Sequence, residues 1–499
     1  MMYAPDLDPM IPGVIVEMSN MVPTNNEGFR QPYDRFAVSA NALAATPVGA
    51  YSAVFNNGAV KWLAGTPTKL YQLSGVDYTA WFDVTRGTAP GAYTSGTKWN
   101  FAQYGDVTIA CNKEDSTQHS SGAGGNIPFT NLTGAPRAVI PAVSNECLVL
   151  FNYNDGTETP DGWFSSKQGD YTSWTTTGAG SIASSGRLRK TPGAITAAVA
   201  FGEDIIAFKK SGMYVGQYVG TVGSTFVGWS WRCIDTSVGC ISQNHLVEID
   251  NALIFVSERD IYIYDGGKPS PITDGVKNAF FHDLGVTGGS LSVIRTMKLL
   301  KDDISNVVYF MASGGTFTPV YNYKTGKWGQ IKGYRGAQES IAAVFSSTEF
   351  QSIALPGIAT NAIDVKAFVF SGLSLYNIDT LKMATGTTAT FRTGFIGDPK
   401  GKSLLSRLFL RFTSPFRTGE TTTYPAAVAS VTADINSYDQ PGGAVTGTAT
   451  AATMKAGNIM DAFKSGRFLS ALFTITASTA ERFEFLEVIP QSLTDHGKF

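Results

Sequence analysis

Charge and histidine are scarce in this chain. Of 499 residues only 16% are Asp, Glu, Lys or Arg, and 38 basic residues nearly cancel 40 acidic ones. The formal net charge is -2 and the sequence pI about 6.1, so no global basic field exists to hold nucleic acid tightly by counterion release. The four histidines, His119, His245, His282 and His496, form neither HExxH nor a His-x-His pair, which leaves little from which to build a zinc site. His245 directly precedes an apolar run and fits a hydrogen-bonded core or turn histidine. The four cysteines, Cys111, Cys147, Cys233 and Cys240, have no CxxC spacing, and most lie in apolar strand-like segments. They are expected to be reduced core residues and not disulfides or metal ligands. No apolar stretch approaches the roughly 20 residues that span a bilayer. The first residues, MMYAPDLDPMIPGVIVEMSN, carry acids and prolines where a secretory signal has a basic and then an apolar region. A soluble chain is therefore expected.

Catalytic signatures are missing too. Neither a GxSxG elbow nor a GxxxxGK[ST] loop occurs; SGAGG at 121–125 lacks the lysine and following helix that phosphate cradling requires and fits a flexible loop. NYNDGTETPDG offers Asn152, Asn154, Asp155 and Glu158 as oxygen ligands for calcium, but misses the EF-hand spacing, and Asp-Gly after a strand is an ordinary turn. Asp83, Asp106, Glu203, Asp204, Glu258 and Asp260 sit at strand ends, and a glycoside hydrolase would need two of them face to face. Nothing in their spacing pairs them. SGRLRK, with Arg187, Arg189 and Lys190, is the densest basic cluster and reads as a solvated loop or a contact for phosphate or an acidic partner. The sequence assigns no catalytic, cofactor-binding or metal residue.

What is abundant is apolar alternation punctuated by turns. Hydrophobic residues make up 43% of the chain, with 53 glycines and 22 prolines, a composition that favours many short strands over amphipathic helices. AYSAVFNNGAVKWLAG places Asn57-Gly58 as a tight turn between two apolar runs. Runs of four to eight or so alternating residues follow in TKLYQLSG, YTAWFDVTRG, KWNFAQYGDVTIACN and VSNECLVLFNYNDG. The hairpin FGEDIIAFKKSGMYVGQYVG (201–220) is echoed by VEIDNALIFVSERDIYIYDGG (247–267): Ile205, Ile206 and Phe208 answer to Leu253, Ile254 and Phe255, and Met213, Tyr214 and Tyr218 to Ile261, Tyr262 and Tyr264. Looser versions recur in ISNVVYFMASGG with PVYNYKTGKWGQI, and in IDVKAFVFSGLSLYNID.

Units starting roughly forty to sixty residues apart, unevenly, suit the blades of a β-propeller; stacked β-sandwiches are the alternative. One helix is expected in TDGVKNAFFHDL, capped by Thr273 or Asp274 and burying Val276, Phe280 and Phe281 in a gap between blades. The expected fold is all-β: an N-terminal arm over 1–40 that lies along another surface, a β-propeller over 41–380, and a C-terminal β-sandwich-like domain over 381–499. In the last, RLFLRF puts Arg407, Phe409 and Arg411 on one face and Leu408, Leu410 and Phe412 on the other. The domain's loops TGETTTYPAA and DQPGGAVTGTATAATMKAG are long and nearly uncharged, and 440–457 is a candidate gate by length and composition.

The order of an apolar LY strand, a W-x-D-V-T-R strand, then Tyr, Trp, Phe and G-D-V-x-I-A-x-N resembles the propeller of short-tailed bacteriophage tail proteins of the nozzle or DNA-stabilisation type. Here these positions are Leu70, Tyr71, Trp81, Asp83, Arg86, Tyr93, Trp99, Phe101, Gly105, Asp106, Ala110 and Asn112. The likeness continues through Trp163, Ser165, Asp170 and Trp174, covers roughly residues 20–380, and returns in KSGRFLSALFTI. Ser257-Glu258-Arg259-Asp260 departs from the usual Ser-x-Asp-Gly turn. The resemblance implies a non-enzymatic virion protein with no cofactor, assembled in the host cytoplasm as a homo-oligomeric ring, a hexamer, at the distal end of a short tail. It would dock on a tail adaptor or hub, meet fibres or spikes, and retain and then pass double-stranded DNA without sequence specificity. The alternative function is a carbohydrate-binding or glycoside-hydrolysing β-propeller.

Overall fold

A computed structural model describes residues 1–33, 35–38, 41–73, 80–87, 91–176, 182–222, 225–284, 290–332, 341–353, 363–378, 388–397, 402–413, 428–441, 443–454, 459–477 and 484–496. Seven four-stranded antiparallel sheets follow one another along the described chain. They start at the inner strands Gly49–Val54 (blade 1), Asn100–Tyr104 (blade 2), Arg137–Ser144 (blade 3), Ile195–Phe201 (blade 4), Leu246–Ile249 (blade 5), Lys298–Asp302 (blade 6) and Ile341–Ile353 (blade 7). Each first strand packs beside first strands of neighbouring sheets, and blade 7 returns to blade 1, where the Ser52 and Ser347 hydroxyls meet at 3.0 Å. The sheets therefore stand in a ring, with their first strands around its axis, and the fold is a β-propeller.

Strand alternation explains the ring. A blade's side chains point to two faces, and each face is buried only by the next blade. In blade 4 Ile205 packs toward blade 3, beside Ile140 and Val149, while Ile206 and Phe208 pack toward blade 5, beside Leu253 and Phe255. Phe208 and Phe255 occupy corresponding places in the sequence echo, and their rings lie 4.8 Å apart across the wedge. All of the tryptophans fill such wedges: Trp62 and Trp81 between blades 7 and 1, Trp99 between 1 and 2, Trp174 between 2 and 3, Trp163, Trp229 and Trp231 between 3 and 4, and Trp328 between 5 and 6.

The first forty residues, expected to lie along another surface, are used within the chain. Met2–Tyr3 and Val14–Ser19 join one sheet of the C-terminal unit, and Val22–Pro23 and Phe29–Arg30 join the other. Phe36–Ala37 then becomes the outermost strand of blade 7, pairing Ala37 with Tyr376 and Phe36 with Asn377. Val38 and Leu43 continue into the wedge beside Trp62. The physical reason is an edge: the C-terminal segments supply too few strands to cover both sheets and blade 7, and the N-terminal segment pairs with what is left open.

The C-terminal unit is a two-sheet sandwich of six and five strands. Leu408 and Leu410 point inward, while Arg407 and Arg411 face solvent, paired with Asp461 at 3.3 Å and Glu487 at 3.1 Å. The candidate gate at 440–457 is largely strand: Val445–Thr453 pairs with Val428–Tyr438, aligning Thr448 with Asn436 and Ala449 with Ile435. Small β-branched and alanine side chains fit an edge strand as well as they fit a loop, which is why composition misleads there. The loop at 418–427 and the 380/381 boundary lie outside the described residues. The sandwich is tied to blade 6, where Met21 bridges Gln330, the Gln330 amide donates to the Met18 carbonyl, and Tyr3 donates to Gln330 at 3.1 Å.

The expected helix forms over Lys277–Asp283, with Phe280 packed on Trp328 at 4.8 Å. Neither Thr273 nor Asp274 caps it. The Thr273 hydroxyl donates to Asp260, and the carboxylate of Asp6 accepts from the amides of Asn278 at 2.5 Å and Ala279 at 3.3 Å, a cap delivered from the N-terminal segment. No helix among the described residues is long and apolar enough to cross a membrane.

Candidate functional site

Arg86, Tyr93, Trp99 and Asn112, singled out in the sequence, meet in the wedge between blades 1 and 2. Arg86 leaves the outer strand of blade 1 and is buried. Its guanidinium donates to Asp115 at 2.9 Å, Asn131 at 3.2 Å and the Gly91 carbonyl at 3.0 Å, and lies over the Tyr93 ring at 4.8 Å. Asp115 in turn accepts from the amide of Thr94 at 2.8 Å and from Asn112 at 3.1 Å. Tyr93 packs edge-on against Trp99 at 4.8 Å, donates to Gln118 at 3.3 Å and is buried, which raises its hydroxyl above the usual tyrosine range. Trp99 donates to the Thr66 carbonyl at 2.8 Å. Asp115 and Gln118 were missed by sequence reading; an acid three residues after Asn112, opposite an arginine in an apolar context, is the signal that finds them. With every group satisfied internally, this is a clasp that holds two blades together and the loop between them.

The candidate acids do not gather. Asp83 pairs with Lys69 at 2.7 Å, and hydrogen bonds from Lys69 and Thr85 outweigh its burial to hold its carboxyl below the usual range. Asp106 accepts from the Asn56 amide at 2.7 Å. Asp204 accepts from Gln217 at 3.3 Å, and Glu203 offers its backbone carbonyl to Ser144 at 2.8 Å. Glu258 pairs with Arg295 at 3.1 Å, and Asp260 with Lys277 at 2.6 Å. They are spread over four blades and both ends of the ring.

The calcium candidates separate as well. Asn152 sits in a bulge with φ 53° and reaches the Ile195 carbonyl at 3.3 Å, Asn154 accepts from Gly156 at 2.9 Å, and Glu158 pairs with Lys113 at 3.4 Å. Asn154 and Asp155 line a cleft of about 580 Å³ together with Arg137, whose positive charge opposes a cation there. Among the described residues no three His, Cys, Asp or Glu side chains are placed to hold a metal. SGAGG is anchored, its Gly122 and Gly124 carbonyls accepting from the Lys61 ammonium at 3.0 and 3.4 Å. In SGRLRK, Arg187 pairs with Asp161 at 2.8 Å, while Arg189 and Lys190 are exposed.

His245 is 1% exposed and held by both nitrogens: Nε2 donates to the Ile294 carbonyl at 2.7 Å and Nδ1 accepts from Ser242 at 2.8 Å. Burial brings its pKa down to about 4. His119 meets the Tyr171 hydroxyl at 3.3 Å and His282 the Asp283 carboxylate at 2.9 Å. The four cysteines are free; Cys111, Cys147 and Cys240 are buried, and burial pushes their thiols up to about 12, 11 and 12.

Among the described residues the ring's two mouths differ in charge. Residues at the start of the inner strands lie at one mouth, and the turns joining each blade's first and second strands lie at the other. The first mouth carries Lys98, two residues ahead of its inner strand, Arg137 and Lys298, each the first residue of one, and neutral His245. The turns at the second mouth carry Asp106, Glu146, Glu203, Asp250 and Asp303, from five blades, with no Lys or Arg among the described residues. Asp250 pairs with Lys324, and Asp303 with Lys301 at 2.9 Å. Sequence reading missed Lys98 and Lys298 because 200 residues separate them and only the mouth at which their inner strands begin relates them.

Neither a protein-family model nor a curated protein matches the chain. Among solved structures, the WD40 repeats of RRP9 are 9% identical, with 70% of this chain and 99% of that one covered and a TM-score of 0.41. A streptogramin B lyase is 10% identical over 70% of this chain and 98% of its own, with a TM-score of 0.42. The extracellular domain of a one component system from B. thetaiotaomicron is 14% identical over 80% of this chain, which spans 50% of that one, with a TM-score of 0.43.

Proposed function

We propose that this chain is a non-catalytic structural subunit that assembles as a ring at the distal end of a short phage tail, a nozzle that retains and then passes genomic DNA. The observation that supports this reading is the fate of the motif shared with such proteins. Arg86, Tyr93, Trp99 and Asn112 are spent on holding blades 1 and 2 together, Trp81 on the wedge between blades 7 and 1, and Trp174 and Trp163 on the wedges between blades 2 and 3 and between 3 and 4. A motif consumed by packing and buried hydrogen bonds serves a rigid part whose value lies in its shape. In this reading the DNA path is the lumen of a hexamer of subunits, which dock on an adaptor or hub and meet fibres or spikes at their outer surface, in the virion after assembly in the host cytoplasm. Electron microscopy of the purified chain, alone and with tail extract, tests it: the expected result is a ring with an open lumen that caps tail particles. A persistent monomer that hydrolyses surface polysaccharide and is absent from particles overturns it.

A further inference from the structure

A cleft between blades 2 and 3 carries polar groups that blade packing does not use. It encloses about 580 Å³ at the mouth where the inner strands begin, a size common among small-molecule sites. One wall is the turn between the second and third strands of blade 3. Arg137 opens the inner strand and pairs in the ladder with Asn154, so it stands beside the turn that carries Asn154 and Asp155. That turn is fixed: Asn154 Oδ1 accepts from the Gly156 amide at 2.9 Å, Gly156 has φ 116°, and Asp155 Oδ1 accepts from the Thr157 amide at 3.4 Å. Another wall comes from blade 2, where Ser116 follows the clasped Asp115 and residues 134–136 lead into Arg137. The Thr117 hydroxyl donates to the Pro136 carbonyl at 2.7 Å and the Lys113 amide to the Ala138 carbonyl at 2.9 Å, which holds this wall to blade 3. Phe164 also lines the cleft, packed against Tyr153 at 5.4 Å and Trp174 at 5.7 Å. Arg137 is exposed and makes no ion pair or hydrogen bond among the described residues, and the stretch that follows Thr176 in the sequence, TGAGS at 177–181, contains no acid. Asp155 lines the same cleft without an ion pair, and with one oxygen used by Thr157 its other oxygen can accept. Asn154 keeps its two amide N–H groups and Ser116 its hydroxyl.

We propose that this cleft binds an acidic saccharide, a sugar bearing a carboxylate, with Arg137 taking the carboxylate and Asn154, Asp155 and Ser116 taking the hydroxyls. The planar guanidinium meets a carboxylate with two parallel N–H···O bonds. A sugar hydroxyl both donates and accepts, so it needs the mixture present here: N–H donors from Asn154, an acceptor oxygen from Asp155, and a Ser116 hydroxyl that does either. Asp155 beside Arg137 disfavours a dense polyanion such as a nucleic-acid backbone. Among the described residues Asp155 is also the only acid lining the cleft, whereas glycoside cleavage needs two carboxyl groups flanking the bond, so the site binds and does not hydrolyse. Walls fixed by blade packing keep the ordering cost of binding low. This inference stands apart from the tail reading, since the cleft lies within one subunit and is complete without a ring.

The test uses the full chain and trigalacturonate as probe, by isothermal titration, with the methyl ester of the same sugar as its uncharged counterpart. The expected result is saturable binding at one site per chain, weakened at least about tenfold for the ester and at least about tenfold in Arg137→Met. That variant loses an exposed side chain without partners and should keep the thermal transition of the parent. The ester should bind parent and Arg137→Met alike, because it has no carboxylate for the guanidinium to meet; a variant that merely disturbed the fold would lose both probes. Arg189→Met, which removes an exposed arginine outside the cleft lining, should bind as the parent does. Absence of saturable binding, equal binding of acid and ester, or equal binding by parent and Arg137→Met overturns the proposal. Displacement of trigalacturonate by inorganic phosphate at equal concentration also overturns it, since the cleft would then take any small anion.

Discussion

Replacing Arg86 by Met should open the clasp between blades 1 and 2. Arg86 and Asp115 have side chains only 4% and 8% exposed, so the substitution leaves a buried carboxylate without its cation. Removing one partner of such a pair costs about 3–5 kcal/mol. Asp115 keeps its bonds from Thr94 and Asn112, and Asn131 keeps Gln118 at 2.7 Å, so the lower end, about 3 kcal/mol, is expected. A chain of this size with two units need not unfold in one step, so the local measure is amide hydrogen exchange over residues 84–118. Exchange limited by opening of this region should speed up roughly a hundredfold. The double variant Arg86→Met/Asp115→Leu removes both charges and should recover at least about 1.5 kcal/mol relative to the sum of the single changes. A single-variant effect below about tenfold, or a double variant whose cost equals the sum, refutes the idea that this pair closes the wedge.

Stability should fall as pH drops between about 6.5 and about 4, because His245 stays neutral in the folded chain while the unfolded chain takes up its proton. The unfolded state binds more protons in that window, so His245 contributes about 3 kcal/mol of acid sensitivity, and urea titrations of His245→Gln should show a flatter profile there. A thiol reagent at neutral pH should leave Cys111, Cys147 and Cys240 untouched in the native chain and label at most Cys233, with all four reacting after denaturation. Gly329→Val should loosen the sandwich from blade 6, since a Cβ there collides with the Met21 carbonyl and with Pro23, and limited proteolysis should then separate fragments that stay joined in the parent. Removing residues 1–44 strips the outer strand from blade 7 and four strands from the sandwich, and should give an insoluble or expanded product by gel filtration.

Much of the propeller was legible because its repeat is physical. A blade must alternate apolar residues over strands of four to eight and reverse at Gly, Asn or Asp, and Ile206, Phe208, Leu253 and Phe255 show that pattern before any coordinates exist. Tryptophan placement follows from the same geometry, since a wedge between sheets takes so large a side chain repeatedly. What was not legible is long-range pairing by short segments. Phe36–Ala37 is two residues long and carries no periodicity, yet it completes blade 7; what decides its place is the open edge of a strand 340 residues later in the chain. Asp6 capping the helix at Lys277 is hidden likewise, because any acid could serve and only the fold selects one.

The same distinction governs the candidate sites. Acids at strand ends drew attention because chemistry uses acids, but strand ends are also where turns need Asp and Asn: Asp83 and Asp204 are engaged by donors of the same blade, and Asp106 by a turn amide of the neighbouring blade. Lys98 and Lys298 looked ordinary in the sequence, each one basic residue among many. What relates them is the mouth of the ring at which their inner strands begin, and neither has an ion-pair partner among the described residues. In a ring of blades, equivalent positions meet at the axis whatever their distance along the chain, so function on that axis is to be sought by aligning blades and asking which position carries charge that the blade itself does not need.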